Sequence, residues 1–319
     1  MSSVPANTLY ITFIVALGGF VFGFDASVIA GTVNFITETF SLTHWQQGIV
    51  VSAPTLGALI AMFFAGVISD RYGRKQTLLC VSLLYVVSAI FSALATSFEM
   101  LLIARFVGGL AFCSLMIAPM YIAEISAATH RGKLVSINQF NIVLGLSASY
   151  FTNYGLLTIS QSDSSWVRVL MLDTQTWRWM LALEIVPALV WFVLLFGIPE
   201  SPRWLCTRGQ LDAAKLNLVR LQFADVEAQL QQIQTSVDRS TMQLDALLVA
   251  DGGTPSEVAL EHERGGQLAN CLAQLPEDYR TVVTLRNFQS LPFSKVAKEM
   301  GRSSGAVRML WLRALEQLR

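Results

Sequence analysis

Up to Gly197 the chain repeats one device six times, an apolar stretch long enough to cross a lipid bilayer, and no other feature restricts its fold as much. A transmembrane helix needs about 20 predominantly apolar residues. Stretches of that kind occupy residues 9–29, 48–68, 77–95, 100–122, 134–157 and 180–197. Buried helices of a water-soluble protein would show polar residues recurring at helical period, and these runs have almost none. A mean hydropathy of +0.52 with 14% charged residues is too apolar for an ordinary soluble enzyme. The net charge of zero averages two unlike segments, because Asp, Glu, Lys and Arg are sparse through Gly197 and frequent from Arg203 onward. The expected fold class is all-α, six transmembrane helices followed by a small soluble helical region.

Loop charge predicts the orientation. Arg71, Arg74 and Lys75 follow the second stretch, Arg131 and Lys133 the fourth, and Arg203 and Arg208 the sixth. Residues 31–47 and 96–100 contain no Lys or Arg; Arg168 and Arg178, in the longer segment 161–178, run against the trend. The bias places both chain ends in the cytoplasm. The N-terminus lacks a basic leader and a small-residue cleavage site, so the first stretch is expected to be retained. Cys80, Cys113, Cys206 and Cys271 have no metal-ligand spacing and read as free thiols. No catalytic constellation, metal set or cofactor is expected, and the chain is not read as an enzyme.

Three ionisable residues fall inside the apolar stretches: Asp25, Arg105 and Glu184. Charge at membrane depth costs several kcal/mol unless it is paired or faces a wet cavity, so each is a functional candidate. A carboxylate that exchanges an arginine partner for a proton can couple proton flow to a conformational change. A permanent ion pair stitching two helices would satisfy the same placement, and on charge alone both readings stand.

Seven motifs then follow in order: GGFVFGFD (18–25), GVISDRYGRK (66–75), ARFVGG (104–109), PMYIAEIS (119–126), RGKLVSINQF (131–140), WRWMLALE (177–184) and PESPRWL (199–205). In that register they resemble the N-terminal half of the sugar porters of the major facilitator superfamily. The resemblance implies a half of that fold, a sugar substrate and a proton-coupling set in which Asp25 titrates, Arg105 is its partner and Glu184 is an accessory acid. It also implies sugar contacts at Phe22 and Gln139, although a lone Gln in a membrane helix can equally serve as interhelical glue. Gly66, Asp70, Arg71, Gly73, Arg74, Glu124, Arg131, Glu200 and Arg203 would form the gate that closes the cytoplasmic face. There Gly66 is expected to permit a close helix approach and Gly73 a tight turn, while Asp70 meets a helix N-terminus and Arg74. Ordinary interfacial charge anchoring helix ends is the plainer alternative. The chain departs from the family pattern at Ala111, Cys113 and Ala127.

The porters of this family have two six-helix halves with substrate bound between them, and no seventh apolar stretch follows Leu205. A lone half is expected to need a complementary half or self-association to move anything. The membrane segment is assigned to residues 1–205, a cytoplasmic helical loop to 206–235, a linker to 236–255, and a final domain to 256–319. In that domain helices are expected over 255–275 and 276–287, then a short helix ended by Gly301 and a longer one over 304–318. Short helix, glycine turn and capped longer helix make a helix-turn-helix. Its basic residues Lys295, Lys298, Arg302, Arg308, Arg313 and Arg319 suit a phosphate backbone, although a small helical interaction module would show the same pattern. LPEDYRTVVTLRNFQSLPFSKVAKEMGRSSGAVRMLWLRALEQLR resembles region 4 of bacterial sigma factors, especially the extracytoplasmic-function group. That resemblance implies promoter DNA and RNA polymerase as partners, with Ser304, Ala306, Arg308 and Arg313 facing DNA, and a bacterial inner membrane around the other half. Three readings of the whole chain stay open: a transporter-derived membrane protein, a membrane-tethered transcription regulator, and a join of two interrupted genes with no integrated function.

Overall fold

The structure is a computed structural model describing residues 4–162, 164–223, 225–249, 275–288 and 291–317. It divides into two compact units, one reaching to Ser201 with residues 220–222 added, the other holding the remainder. No strand occurs among the described residues.

The first unit is a helical bundle. Its elements are α1 (Ala6–Phe40), α2 (His44–Tyr72), α3 (Arg74–Ala93), α4 (Phe98–Leu110), α5 (Ser114–Ile125), α6 (Arg131–Ser160), α7 (Ser165–Val169), α8 (Thr176–Ala182) and α9 (Ile185–Leu195). A 3-10 turn, Ala111–Cys113, joins α4 to α5, and that turn holds two of the three departures from the family pattern, Ala111 and Cys113. Six candidate spans result among the described residues, at Ala6–Phe40, His44–Tyr72, Arg74–Ala93, Phe98–Ile125, Arg131–Ser160 and Thr176–Leu195.

Local sequence explains the helix ends. Thr43 and Gln46 form a reciprocal capping box at the start of α2, and Ser97 Oγ accepts the Met100 amide at the start of α4. The first helix outruns its apolar stretch and continues to Phe40 with one face of its last turns packed. Ile36 is buried there, and the Phe40 ring lies edge-on to Trp177 at 5.8 Å.

Packing depends on residues without side chains. A Cβ at Gly145 would stand 2.0 Å from the Phe20 carbonyl oxygen, and one at Gly23 would stand 2.1 Å from that of Ile142, so α1 and α6 meet backbone to backbone. The same holds for α2 and α4, where a Cβ at Gly109 would lie 2.1 Å from the Pro54 oxygen. Gly66 is a correction: a Cβ there would meet only Met116 Cε, at 3.9 Å, so this glycine does not mark a close approach. Large apolar side chains such as Phe63 and Phe151 stand about three-quarters exposed, at 75% and 77%, as suits contact with hydrocarbon.

The second unit contains α10 (Pro202–Thr207), α11 (Leu211–Arg220, apart from its last residue), α12 (Val226–Val249), α13 (Glu277–Val283), α14 (Phe293–Glu299) and α15 (Ser304–Gln317). Helix α12 is the second correction, since it continues to Val249 where a linker was expected from residue 236. The helix expected over 255–275 lies almost wholly outside the described residues. The last three helices close on Val282, Phe293, Val296, Val307, Trp311 and Ala314. Gly301, at φ +61°, makes the turn between α14 and α15 at no steric cost. Ser303 Oγ accepts the Ala306 amide at 3.2 Å and caps α15.

Candidate functional site

Within the first unit, α1 carries Asp25 and α4 carries Arg105, and the packing buries both to 2% exposure or less. The Arg105 guanidinium is ion-paired with the Asp25 carboxylate and also donates to the Asp25 carbonyl at 3.3 Å. Glu184, between α8 and α9, is equally buried and feels both charges, repelled by Asp25 and attracted by Arg105. Asp25 Oδ2 and Glu184 Oε1 are buried with no N–H or hydroxyl donor on them among the described residues. Gly108 makes room for Ser88, whose Oγ would stand 2.4 Å from a Cβ there. The three sequence candidates are therefore brought together in the interior of the bundle, with Arg105 paired to Asp25 and Glu184 buried within reach of both charges.

Of the two candidates for sugar contact, Phe22 shares α1 with Asp25, one helical turn before it, and Gln139 lies on α6. Phe22 is half-buried with its ring edge-on to Phe112 at 4.7 Å, while Gln139 is exposed on α6 beside the exposed Phe140. Among the described residues no hydrogen bond or ring contact joins Phe22 to Gln139.

A second charged cluster closes one end of the bundle around Arg74. Its Nε donates to Glu124 at 3.0 and 3.2 Å and its Nη2 at 3.0 Å, while Nη1 reaches the Ser69 carbonyl at 3.1 Å and Asp70 at 2.8 Å. Ser201 Oγ donates to the other side of Glu124 at 2.5 Å. Gly73, at φ +95°, turns the chain from α2 into α3 as its motif position required. The α3 N-terminus is met by Glu200: Oε1 accepts the Arg74 and Lys75 amides at 2.9 and 3.1 Å. Asp70 pairs with Arg74 as its motif position predicts, from a side chain 72% exposed. Arg131 donates to the Ala123 carbonyl at 3.0 Å and so holds the C-terminal turn of α5, an orphan acceptor that favours a cation. Arg71 is exposed with its guanidinium 5.6 Å from the Tyr72 ring. Arg203 is half-buried on α10, in the second unit.

Sequence reasoning missed Ser201, Lys75 and Tyr121 in this cluster. Lys75 Nζ donates to the Phe196 carbonyl at 2.9 Å and the Tyr121 hydroxyl to that of Pro199 at 2.7 Å, fastening the PESPRWL segment to the bundle end. All three residues sit inside motifs already singled out, so their position was the available signal.

In the second unit, Ala306 and Arg313 are exposed on α15 and Ser304 is half-buried. Arg308 is a third correction. Expected to face outward, it is 6% exposed, donating to the Cys206 carbonyl at 2.6 Å and to Asp238 at 2.5 Å, with its guanidinium 5.0 Å from the Phe293 ring. No cluster of three or more His, Cys, Asp or Glu suited to a metal occurs among the described residues.

Comparison with known proteins matches residues 11–252 to the family model "Sugar (and other) transporter" and residues 265–318 to "Sigma-70, region 4". The chain is 36% identical over 225 residues to the arabinose-proton symporter of Bacillus subtilis, a match covering 69% of this chain and 47% of that protein. It is 34% identical over 256 residues to the D-xylose-proton symporter of Escherichia coli, covering 72% and 51%. The partially occluded, inward-open structure of the E. coli xylose transporter XylE superposes with a TM-score of 0.67 at 32% identity, over 76% of this chain and 62% of that one. The chain thus spans about half the length of the relatives it matches. It is a multi-pass membrane protein with half of a major facilitator fold and a small helical C-terminal region. It belongs to the sugar (and other) transporter family and carries a sigma-70 region 4 segment behind the transporter segment.

Proposed function

We propose that the first unit is the proton-coupling half of a sugar transporter, and that it moves substrate only when a second half, from another chain or a second copy, completes the site. The observation that carries this reading is the buried Asp25–Arg105 pair with Glu184 beside it. One guanidinium balances one carboxylate, and a proton balances the second carboxyl. Passing that proton between the two carboxyls changes which of them Arg105 holds, and so ties α1 and α4 to the protonation of the interior. Arabinose and xylose, which the relatives' names carry, are the first sugars to try. The Arg74–Glu124 cluster lies at the end assigned to the cytoplasmic face of a bacterial inner membrane, with both termini on that side.

The test is uptake of labelled D-xylose or L-arabinose by proteoliposomes holding the full chain, alone and with a separately expressed C-terminal half of a related symporter, under an imposed proton gradient. Gradient-driven uptake lost in Asp25→Asn supports the reading. Equal uptake by Asp25→Asn and the native chain would refute proton coupling through this residue.

A second reading is favoured by a separate observation, the sigma-70 region 4 match falling on a helix-turn-helix whose recognition helix is capped by Ser303. In that reading the tail binds duplex DNA from the membrane surface, with exposed Arg313 among its phosphate contacts. Affinity of the full chain in nanodiscs should fall steeply with salt. Absence of both uptake and DNA binding would leave a join of two partial genes as the account.

A further inference from the structure

The recognition helix α15 does not present its basic side freely, and what covers it belongs to the same chain. The Arg308 Nη1 and Nη2 groups are taken by the Cys206 carbonyl of α10 and the Asp238 carboxylate of α12. Asp238 is anchored in turn, since its carbonyl accepts Arg286 Nη2 at 3.4 Å. The start of α15 lies against the turn between α10 and α11, where a Cβ on Gly305 would come 3.3 Å from the Gly209 oxygen. Ser304, Gly305 and Arg308 also line a cavity of about 140 Å³ whose opposite wall includes Gln231, Thr235 and Asp238 of α12. Three separate contacts therefore hold the same side of one helix.

The chemistry of the cover is that of the ligand it would exclude. An arginine reads DNA through anionic or carbonyl oxygens, a phosphate or the O6 and N7 acceptors of guanine. Asp238 and the Cys206 carbonyl offer the same kinds of acceptor at hydrogen-bond distance, so Arg308 cannot serve both. Arg313 lies outside the covered patch and stays exposed.

Resting on the reading of the tail as a DNA binder, we infer that α10 and α12 act as a built-in inhibitor of the recognition helix, with Asp238 holding the place of the nucleic acid on Arg308. DNA binding then requires α15 to leave α12, and the apparent affinity of the native chain is reduced by the fraction that stays docked.

The test compares the native full chain with Asp238→Asn, Arg313→Ala, their combination, and Asp238→Asn combined with Arg308→Ala, all in nanodiscs, using fluorescence anisotropy of a labelled random-sequence duplex over a series of salt concentrations. Asp238→Asn keeps the shape and removes the charge. It should bind more tightly, within the range of about 5- to 150-fold usual for a coupling of this kind. Adding Arg308→Ala should erase most of that gain. Amide hydrogen exchange across residues 304–311 should quicken in Asp238→Asn while the membrane helices keep their protection. If Asp238→Asn binds no more tightly than the native chain while Arg313→Ala weakens both, the tail reads DNA and the inhibitor is overturned. If no variant binds the duplex at any salt, the DNA reading falls and takes the inhibitor with it.

Discussion

Replacing Arg74 by alanine tests the closed end of the bundle most directly. Arg74 and Glu124 have side chains 9% and 7% exposed, and the guanidinium supplies three hydrogen-bond contacts to that carboxylate. Without it Glu124 stays buried, keeping only the Ser201 hydroxyl among the partners described above. Removing one member of a buried ion pair typically costs about 3–5 kcal/mol, because the remaining charge is left uncompensated. The surviving Ser201 bond places the expected cost near the lower end, about 3 kcal/mol. Asp70 is the internal control. It pairs with the same arginine but is 72% exposed, so Asp70→Asn should cost no more than about 1 kcal/mol. The assay is unfolding of the detergent-solubilised chain by titration with sodium dodecyl sulfate, followed by circular dichroism. It is run as a double-mutant cycle of Arg74→Ala with Glu124→Gln. The double variant should recover part of the loss, with a coupling energy of about 0.5–3 kcal/mol. A cost for Arg74→Ala no larger than that for Asp70→Asn, or a coupling indistinguishable from zero, would refute the assignment of the cluster as a buried latch.

Gly109→Ala and Gly66→Ala should differ in sign of effect. The first drives a methyl to 2.1 Å from the Pro54 oxygen and should cost at least about 1–3 kcal/mol, whereas the second has open space and should gain a few tenths to about 1 kcal/mol from helix propensity; thermal unfolding in detergent reads both. Burial pushes the Glu200 carboxyl above its ordinary 4.5, against the Ser201, Lys75 and Arg74 amides, which pull it down. The folded chain then binds this proton more tightly than the unfolded one, so its contribution is fully present below the ordinary value and is lost as pH rises through the raised one. Glu200→Gln should flatten the stability profile as pH rises past the ordinary carboxylate value, and an unchanged slope would count against it. Cys206 is buried, with its thiol pushed up to about 11 by burial, and should resist a maleimide at neutral pH until the chain is denatured; equal labelling of Cys206 in the folded and the denatured chain, read by mass spectrometry, would contradict that burial.

What could be read from the sequence was whatever depends on residue type alone. The six spans follow from apolar length, and the Asp25, Arg105 and Glu184 cluster follows because charges at membrane depth must find each other. The helix-turn-helix was legible because Ser303, Gly301 and the apolar set around Val307 act locally. Properties set by distant backbone were not legible. Gly66 and Gly109 look alike as sequence, and only the path of α2 past α4 shows which one a neighbour touches. The basic register of α15 identifies Arg308 as a contact residue, but nothing local shows that a carboxylate 70 positions earlier already holds it. Helix α12 hid for a related reason, since polar residues at 236–243 read as a linker although their spacing also permits a helix.

The cap that Glu200 places on α3 has a consequence for how the chain is made. The first amides of that helix donate to a carboxylate synthesised 126 and 125 residues later. While the ribosome is still producing the intervening helices, the third span has entered the bilayer with its leading N–H groups dependent on water and headgroups. Its registration at the membrane surface becomes final only when the segment after the sixth span folds back. A nascent chain interrupted before residue 200 would therefore hold its third span without the carboxylate that fastens it.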